Sequence, residues 1–384
     1  MPFFKISGQK FSLIVAVYSY SAFASGIVAS FFVDNYDRKK VLLFGYVGFL
    51  AGSILCGFAP SANTLLGARI IAGLFGGLIS AQVMSIVADT FAYEIRGRAM
   101  GILMSSFSVA SVIGIPIGLF LANKFSWHAP FIFIGIMGIF LIPLLIKFIP
   151  PMKQHLIQKK EGGYFVQTIK NIFANKRQVL ALALGACLWS GHFLLVPFIN
   201  PYMEFNVGFS KNDTQYIYIV GGIITLFSGP LFGRLADKYG KLRIFIICGS
   251  LSLIPIYLIS NMHIVPLYYA LTITGLWFML SNGRTVAATA MVSNVVPPQT
   301  RGSFMSFNSS IQQLFTGFAS TIAGFIIFTD PHTQKLYNYN WVGYLSLFVI
   351  CVCLFVGYKV GEKPNNRLNE SDIKQNYLIK AKAE

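Results

Sequence analysis

Of 384 residues, 55% are hydrophobic and only 11% are charged, and with a mean hydropathy of +0.64 the chain lacks the charge to cover a water-exposed surface; a soluble globular protein is excluded. The net charge of +17 would suit a nucleic-acid ligand, but its placement along the chain, on one side of the apolar segments, excludes that reading too. Cys56, Cys187, Cys248, Cys351 and Cys353 all fall inside apolar runs without metal-ligand spacing, so they read as small core residues, with neither a disulfide framework nor a metal expected.

A helix needs about 20 apolar residues to cross the hydrocarbon core of a bilayer. Read at that length, the chain predicts eleven transmembrane helices. Phe11–Val33, Val41–Ala59, Thr64–Phe91, Met100–Ala122 and Pro130–Ile149 come first, then Val179–Tyr202, Tyr216–Leu235, Ile244–Ser260, Val265–Val292, Phe304–Phe328 and Trp341–Val360. Each must be helical, because a spanning segment finds no water for its backbone groups. Pro197 and Pro201 are expected to bend the sixth. Pro150-Pro151 opens the one long polar connection. The predicted fold is an all-α polytopic membrane protein with two pseudo-symmetric helix bundles, residues 1–149 and 179–360, a linker over 150–178 and a tail over 361–384.

Orientation follows from the basic residues. The loops after the odd-numbered segments, with the linker and tail, hold 23 Lys and Arg, from Arg38, Lys39 and Lys40 to Lys382. The opposite side holds only Lys5, Lys10, Lys124, Lys211 and Lys335. The rich side is cytoplasmic, which places the linker and the C-terminus inside the cell and the chain in its inner, or plasma, membrane. The positive charge is thus a topogenic signal facing a lipid bilayer.

One charged signature occurs twice, each time after a long apolar segment: Ser30-Phe-Phe-Val-Asp34-Asn-Tyr36-Asp37-Arg38, then Gly233-Arg-Leu-Ala-Asp237-Lys-Tyr239-Gly240-Lys241. Asp34 and Asp237 are 203 residues apart, and the loops at Arg96 and Arg301 repeat at 205. The chain is read as duplicated. Moved back by 203, Val179–Tyr202 has its counterpart wholly upstream of Met1, and Phe3 to Gly8 looks like the loop from Glu204 to Ser210. The expectation is a twelve-helix plan that lacks its first helix.

These residues resemble the major facilitator superfamily. The two signatures are similar to its loop motif between the second and third helices and between the eighth and ninth. Leu65-Leu-Gly-Ala-Arg69-Ile-Ile-Ala-Gly73 looks like the fourth-helix motif of the drug and sugar efflux branch, and Gly114-Ile-Pro116 is similar to the antiporter motif with its Gly-Pro pair displaced by one residue. Ser30 and Asp37 stand where the family usually has glycines. The resemblance implies a monomeric secondary transporter without cofactor, not an enzyme, which moves a small molecule, with protons as candidate partner, by rocking two bundles about a central site. Two other readings are a transport-inactive truncated remnant or sensor, and an integral membrane transferase. The latter would need acids or histidines clustered at an interface, and the sequence has none.

Candidate site residues divide by position. Asp34, Arg38, Asp89 and Arg98 lie at helix ends on the cytoplasmic side, with Asp237 and Lys241 in the second copy, and are read as a conformational latch, against plain topology and turn chemistry for the basic ones. Arg69 and Arg284 are the basic residues well inside apolar runs, where an arginine costs on the order of 3 kcal/mol. They are read either as cationic anchors in a substrate cavity or as snorkelling and structural pairs. Gln82, His192, Asn282, Asn308 and Gln312 are further cavity candidates, with interhelix hydrogen bonding as the alternative. Gln313 is the neighbour of Gln312, and one of the pair must point elsewhere. Apart from the helix-end residues Asp34, Asp89, Glu204 and Asp237, the apolar runs contain no Asp or Glu, so either a coupling acid belongs to the absent first helix, or coupling uses His192, or the protein is a uniporter. Asp34→Asn should lower transport while the amount of protein in the membrane stays the same; unchanged efflux per quantified molecule would count against the latch.

Overall fold

The computed structural model describes residues 6–32, 36–91, 106, 110–153, 170, 172–296 and 301–361. The first half holds α1 (Gly8–Phe32), α2 (Arg38–Gly57), α3 (Ala62–Thr90), a π-helical turn (Ala110–Gly114) that runs into α4 (Ile115–Lys124), and α5 (Ala129–Phe148). The second holds α6 (Lys176–Phe193), α7 (Val196–Tyr202) with a π segment (Met203–Val207), α8 (Lys211–Tyr239), α9 (Lys241–Ser260), α10 (Leu267–Ser293), α11 (Arg301–Ile326) and α12 (Tyr339–Gly361). Among the described residues, eight helical segments are long and apolar enough to cross a membrane; α10 and α11, which carry most of the polar candidates, are outside that eight.

Most helix starts fall earlier than hydropathy alone suggests, because the first turns are polar. α3 and α8 open on capping boxes: the Ser61 hydroxyl accepts from Thr64 N–H at 3.2 Å, and that of Ser210 accepts from Asp213 N–H at 3.2 Å. The predicted sixth helix breaks at Leu194 and Leu195, just before Pro197 in the first turn of α7, where its missing N–H costs nothing. A two-stranded antiparallel hairpin, β1 (Phe328–Thr329) and β2 (Leu336–Tyr337), joins α11 to α12. The Asn206 amide holds it to the π segment, donating to Leu336 O at 2.8 Å and accepting from Leu336 N–H at 2.9 Å.

In the first half α1 packs on α3, α3 on α2, α2 on α5 and α5 on α4; in the second, α8, α10, α9, α12, α6 and α11 follow one another in contact. α1 and α3 meet α11 across the halves, and α4 with its π turn meets α8. Glycines make the close approaches between these helices. A Cβ on Gly52 would come within 2.6 Å of Ala72 N, and one on Gly73 or Gly77 would collide with the backbone of Tyr18 or Ala22. Backbone contact of this kind supplies the van der Waals attraction that substitutes for a hydrophobic drive between helices in lipid. α8 starts at 211 where α1 starts at 8, and α9 at 241 where α2 starts at 38, both offsets of 203.

The two charged loops turn differently. Gly240 opens α9 with φ +98°, a conformation in which a side chain is strained. At the corresponding position Asp37 has φ −58° and caps α2, its Oδ1 accepting from the Lys39 N–H at 3.0 Å and from the Met152 N–H at 3.0 Å. Arg38 N–H donates back to Met152 O at 3.3 Å, and Lys39 Nζ donates to Ile146 O at 2.7 Å, so the start of the linker and the end of α5 are docked on this loop. The glycine expected at position 37 is thus replaced by a cap with a second task. Burial of the Asp37 carboxyl works to raise its pKa, but the hydrogen bonds from Met152 and Lys39 and the charges of Lys153 and Lys40 outweigh it and hold the pKa below the ordinary carboxylate value. Asp37→Ala should therefore cost about 1 kcal/mol of stability at neutral pH. Because the folded pKa is the lower one, the carboxylate's contribution is full above about pH 5 and is lost as pH falls through the folded value. The gap in detergent melting temperature between the two proteins should accordingly narrow on acidification; a gap independent of pH would contradict the cap.

Candidate functional site between the helix bundles

Where α1, α3 and α11 meet, a small polar cleft is lined by Ala22, Gly77, Ser80 and Ala81 from the first half and by Ser309, Ser310 and Gln313 from the second. The small residues follow from the packing: Gly77 rests on Ala22, and Gly26 faces Ser310, whose Oγ would lie 2.7 Å from a Cβ there. Gln82, next to Ala81, is 1% exposed and its Oε1 has no hydrogen-bond partner among the described residues. Of the adjacent glutamines it is Gln313 that lines the cleft. Gln312 and Asn308 lie over Gly185 of α6, their Nε2 and Oδ1 atoms 3.1 and 2.7 Å from where its Cβ would be. The seam continues above the cleft, where the Tyr20 hydroxyl and Thr321 Oγ1 share a hydrogen bond of 2.9 Å between the halves. At the second contact between the halves Asn123 Nδ2 donates to Lys211 O at 3.1 Å.

Both arginines are engaged elsewhere. Arg69 donates from Nε to Ile14 O at 3.2 Å and from Nη2 to Val15 O at 3.3 Å, with its guanidinium 5.1 Å from the Tyr18 ring centroid. Carbonyls inside a helix keep a free lone pair, so the guanidinium can tie α3 to α1 without disturbing the helix ladder. Arg284 is 1% exposed inside the second bundle and donates from Nη1 to Ser252 Oγ of α9 at 2.9 Å, while its Nε has no partner among the described residues. Asn282 ties α10 to α8, donating to Thr225 O at 2.9 Å and to Ser228 Oγ at 3.0 Å. His192 lies at the end of α6 just before the break and stacks on Trp277 with centroids 4.9 Å apart and an 11° interplanar angle. Sequence reasoning missed Ser80, Ser309 and Ser310, since isolated serines in a small-residue helix carry no pattern, and it singled out Gln313 only as the neighbour of Gln312.

Of the latch residues, Asp34, Arg98 and the Asp89 side chain lie outside the described residues. Arg38 is buried at the start of α2, and Asp237 is exposed near the end of α8, with no ion-pair partner among the described residues. Lys241 is half-buried in the first turn of α9. No group of three His, Cys, Asp or Glu side chains placed to hold a metal ion occurs among the described residues.

The Major Facilitator Superfamily model matches residues 2–283 and 182–381 of the chain. Among proteins of Bacillus subtilis (strain 168), the uncharacterized MFS-type transporter YceJ is 22% identical over 356 residues, covering 91% of this chain and 86% of its own. Multidrug resistance protein 3 of the same organism is 26% identical over 392 residues, covering 86% and 74%. The crystal structure of a D-xylose-proton symporter superposes with a TM-score of 0.72 at 17% identity, covering 91% of this chain and 88% of that one, which shows a shared fold. With the family model spanning nearly the whole chain and the helices packed as described, this protein belongs to the Major Facilitator Superfamily, as a multi-pass membrane transporter and not an enzyme.

Proposed function

We propose that the chain exports a small molecule across the plasma membrane in exchange for protons, by rocking its two bundles about the cleft between α1, α3 and α11. The observation that carries this reading is the cleft itself: hydroxyls and an amide from both halves, Ser80 on one side and Ser309, Ser310 and Gln313 on the other, converge on the seam along which the bundles touch. The equal offsets of 203 between helix starts support two pseudo-symmetric bundles, with residues 1–149 and 179–360 moving as units about the 150–178 linker. The resistance proteins among the relatives favour outward movement. The charged loop that holds Asp34 and Arg38, with Asp89 and Arg98, acts as the cytoplasmic latch, and Asp237 with Lys241 as its second copy. The transporter works as a monomer, its linker and C-terminus in the cytoplasm. His192 carries the coupled proton, since apart from the helix-end acids the apolar runs hold no other His, Asp or Glu.

Expression in an efflux-deficient strain should confer resistance to at least one compound of a broad panel, and purified protein in proteoliposomes should drive that compound against its gradient when a pH gradient is imposed. Flux insensitive to the pH gradient would exclude the exchange. His192→Gln should abolish the pH-driven component while downhill counterflow of the same compound persists; retained pH-driven uptake would remove His192 from the coupling.

A further inference from the structure

We infer that the cleft binds a single bridging water, and that this water is the joint by which α3 is fastened to α11. Size and lining point to it together. The cleft has room for about one water molecule, and the side chains of Ser80, Ser309 and Gln313 that line it form no hydrogen bond among the described residues. A water is held where about two to four polar groups surround it, and these two hydroxyls and one amide, brought from both halves, meet that need. Ser310 lines the cleft as well but is already engaged, so the joint is assigned to the other three. Ser80 is exposed, which lets water reach the joint from the α3 side.

A contrast along α11 gives this water its role. On both sides of the cleft α11 lies directly on α1. Gly26 faces Ser310; a Cβ on Gly317 would come within 2.7 Å of the Tyr20 ring, Thr321 Oγ1 shares its 2.9 Å bond with the Tyr20 hydroxyl, and a Cβ on Gly324 would collide with Ser12. To part there, the helices must give up close packing and a direct bond together, which is costly where little water is at hand to replace them. The groups that α3 and α11 present to each other at the cleft need only exchange one bridging water for others, at little cost. The strip where α1 meets α11 is therefore the hinge line, and α3 is the edge that lifts off as the bundles rock. The inference takes the rocking from the transporter reading above and adds the line about which it turns.

Spin labels introduced as unnatural amino acids at Val28 of α1, Leu74 of α3 and Phe315 of α11, all exposed, test this in the full chain reconstituted in nanodiscs. In Ser80→Ala and in Ser309→Ala the fraction of molecules with a longer α3–α11 distance should rise by about two- to tenfold, the effect of one weakened hydrogen-bonded link, while the α1–α11 distance stays as in the parent. The double variant should go no further than the larger single one, because both hydroxyls act through the same water. Monodisperse elution of each variant is the check on folding. Unchanged α3–α11 distances, effects that simply add in the double variant, or an α1–α11 distance that lengthens equally would each overturn the joint. Proteoliposome flux separates this inference from the reading beneath it. Distances that respond as stated in a protein that moves no compound would leave the joint standing and remove the transporter reading, whereas pH-driven flux with distances indifferent to both serines would remove the joint alone.

Discussion

The contact on which the rest of the structure depends is the backbone-to-backbone approach of α3 to α1. Lipid supplies no hydrophobic drive between two apolar helices, so they are held by close packing and by whatever hydrogen bonds they share. Gly73 and Gly77 let α3 lie on the Tyr18 and Ala22 turns of α1, and Arg69, one turn before Gly73, fastens the same pair by its bonds to Ile14 and Val15. Ser80 and Ala81 follow a turn after Gly77 and so are delivered to the seam with α11, where the cleft forms. Larger side chains at these glycines would push α3 outward and open the cleft on its first-half side.

The fate of the polar side chains follows from the same scarcity of partners. In water an isolated arginine or asparagine is solvated, and a prominent one suggests a binding role. In a helix bundle surrounded by lipid the nearest acceptors are hydroxyls and helix carbonyls on neighbouring helices, and these are what Arg69, Arg284 and Asn282 reach. Asn308 and Gln312 likewise lie against α6 at Gly185. The consequence for function is that the most conspicuous groups act as ties between helices, while the seam is lined by small, inconspicuous ones.

The duplicated loops show how two copies of one motif can diverge around a single position. Gly240 meets the turn by its backbone freedom, with nothing within 4 Å of where a Cβ would stand. Asp37 keeps ordinary dihedral angles and caps the helix through its side chain, which also captures Met152 at the start of the linker. One copy is therefore a turn, and the other is a turn that also ties the linker to α2.

Much was legible in the chain alone, and for a physical reason: the bilayer demands long apolar helices, so length and hydropathy reveal the elements, and the 203-residue spacing of Asp34 and Asp237 recurs in the starts of α1 and α8 and of α2 and α9. Family membership was legible from the same loops and the motif in the third segment, Leu65 to Gly73. The hairpin after α11 was not, because two residues per strand carry no periodicity. Composition also determined that carboxylates are absent from the interior of the apolar runs. Which polar residues face the seam was decided only by tertiary structure. Neighbours such as Gln312 and Gln313 are chemically identical in sequence, and a rotation of about 100° per residue along α11 sends one to Gly185 of its own bundle and the other to the cleft. The arginines were visible from the start, but their partners, carbonyls and a serine on other helices, exist as partners only once the helices are packed.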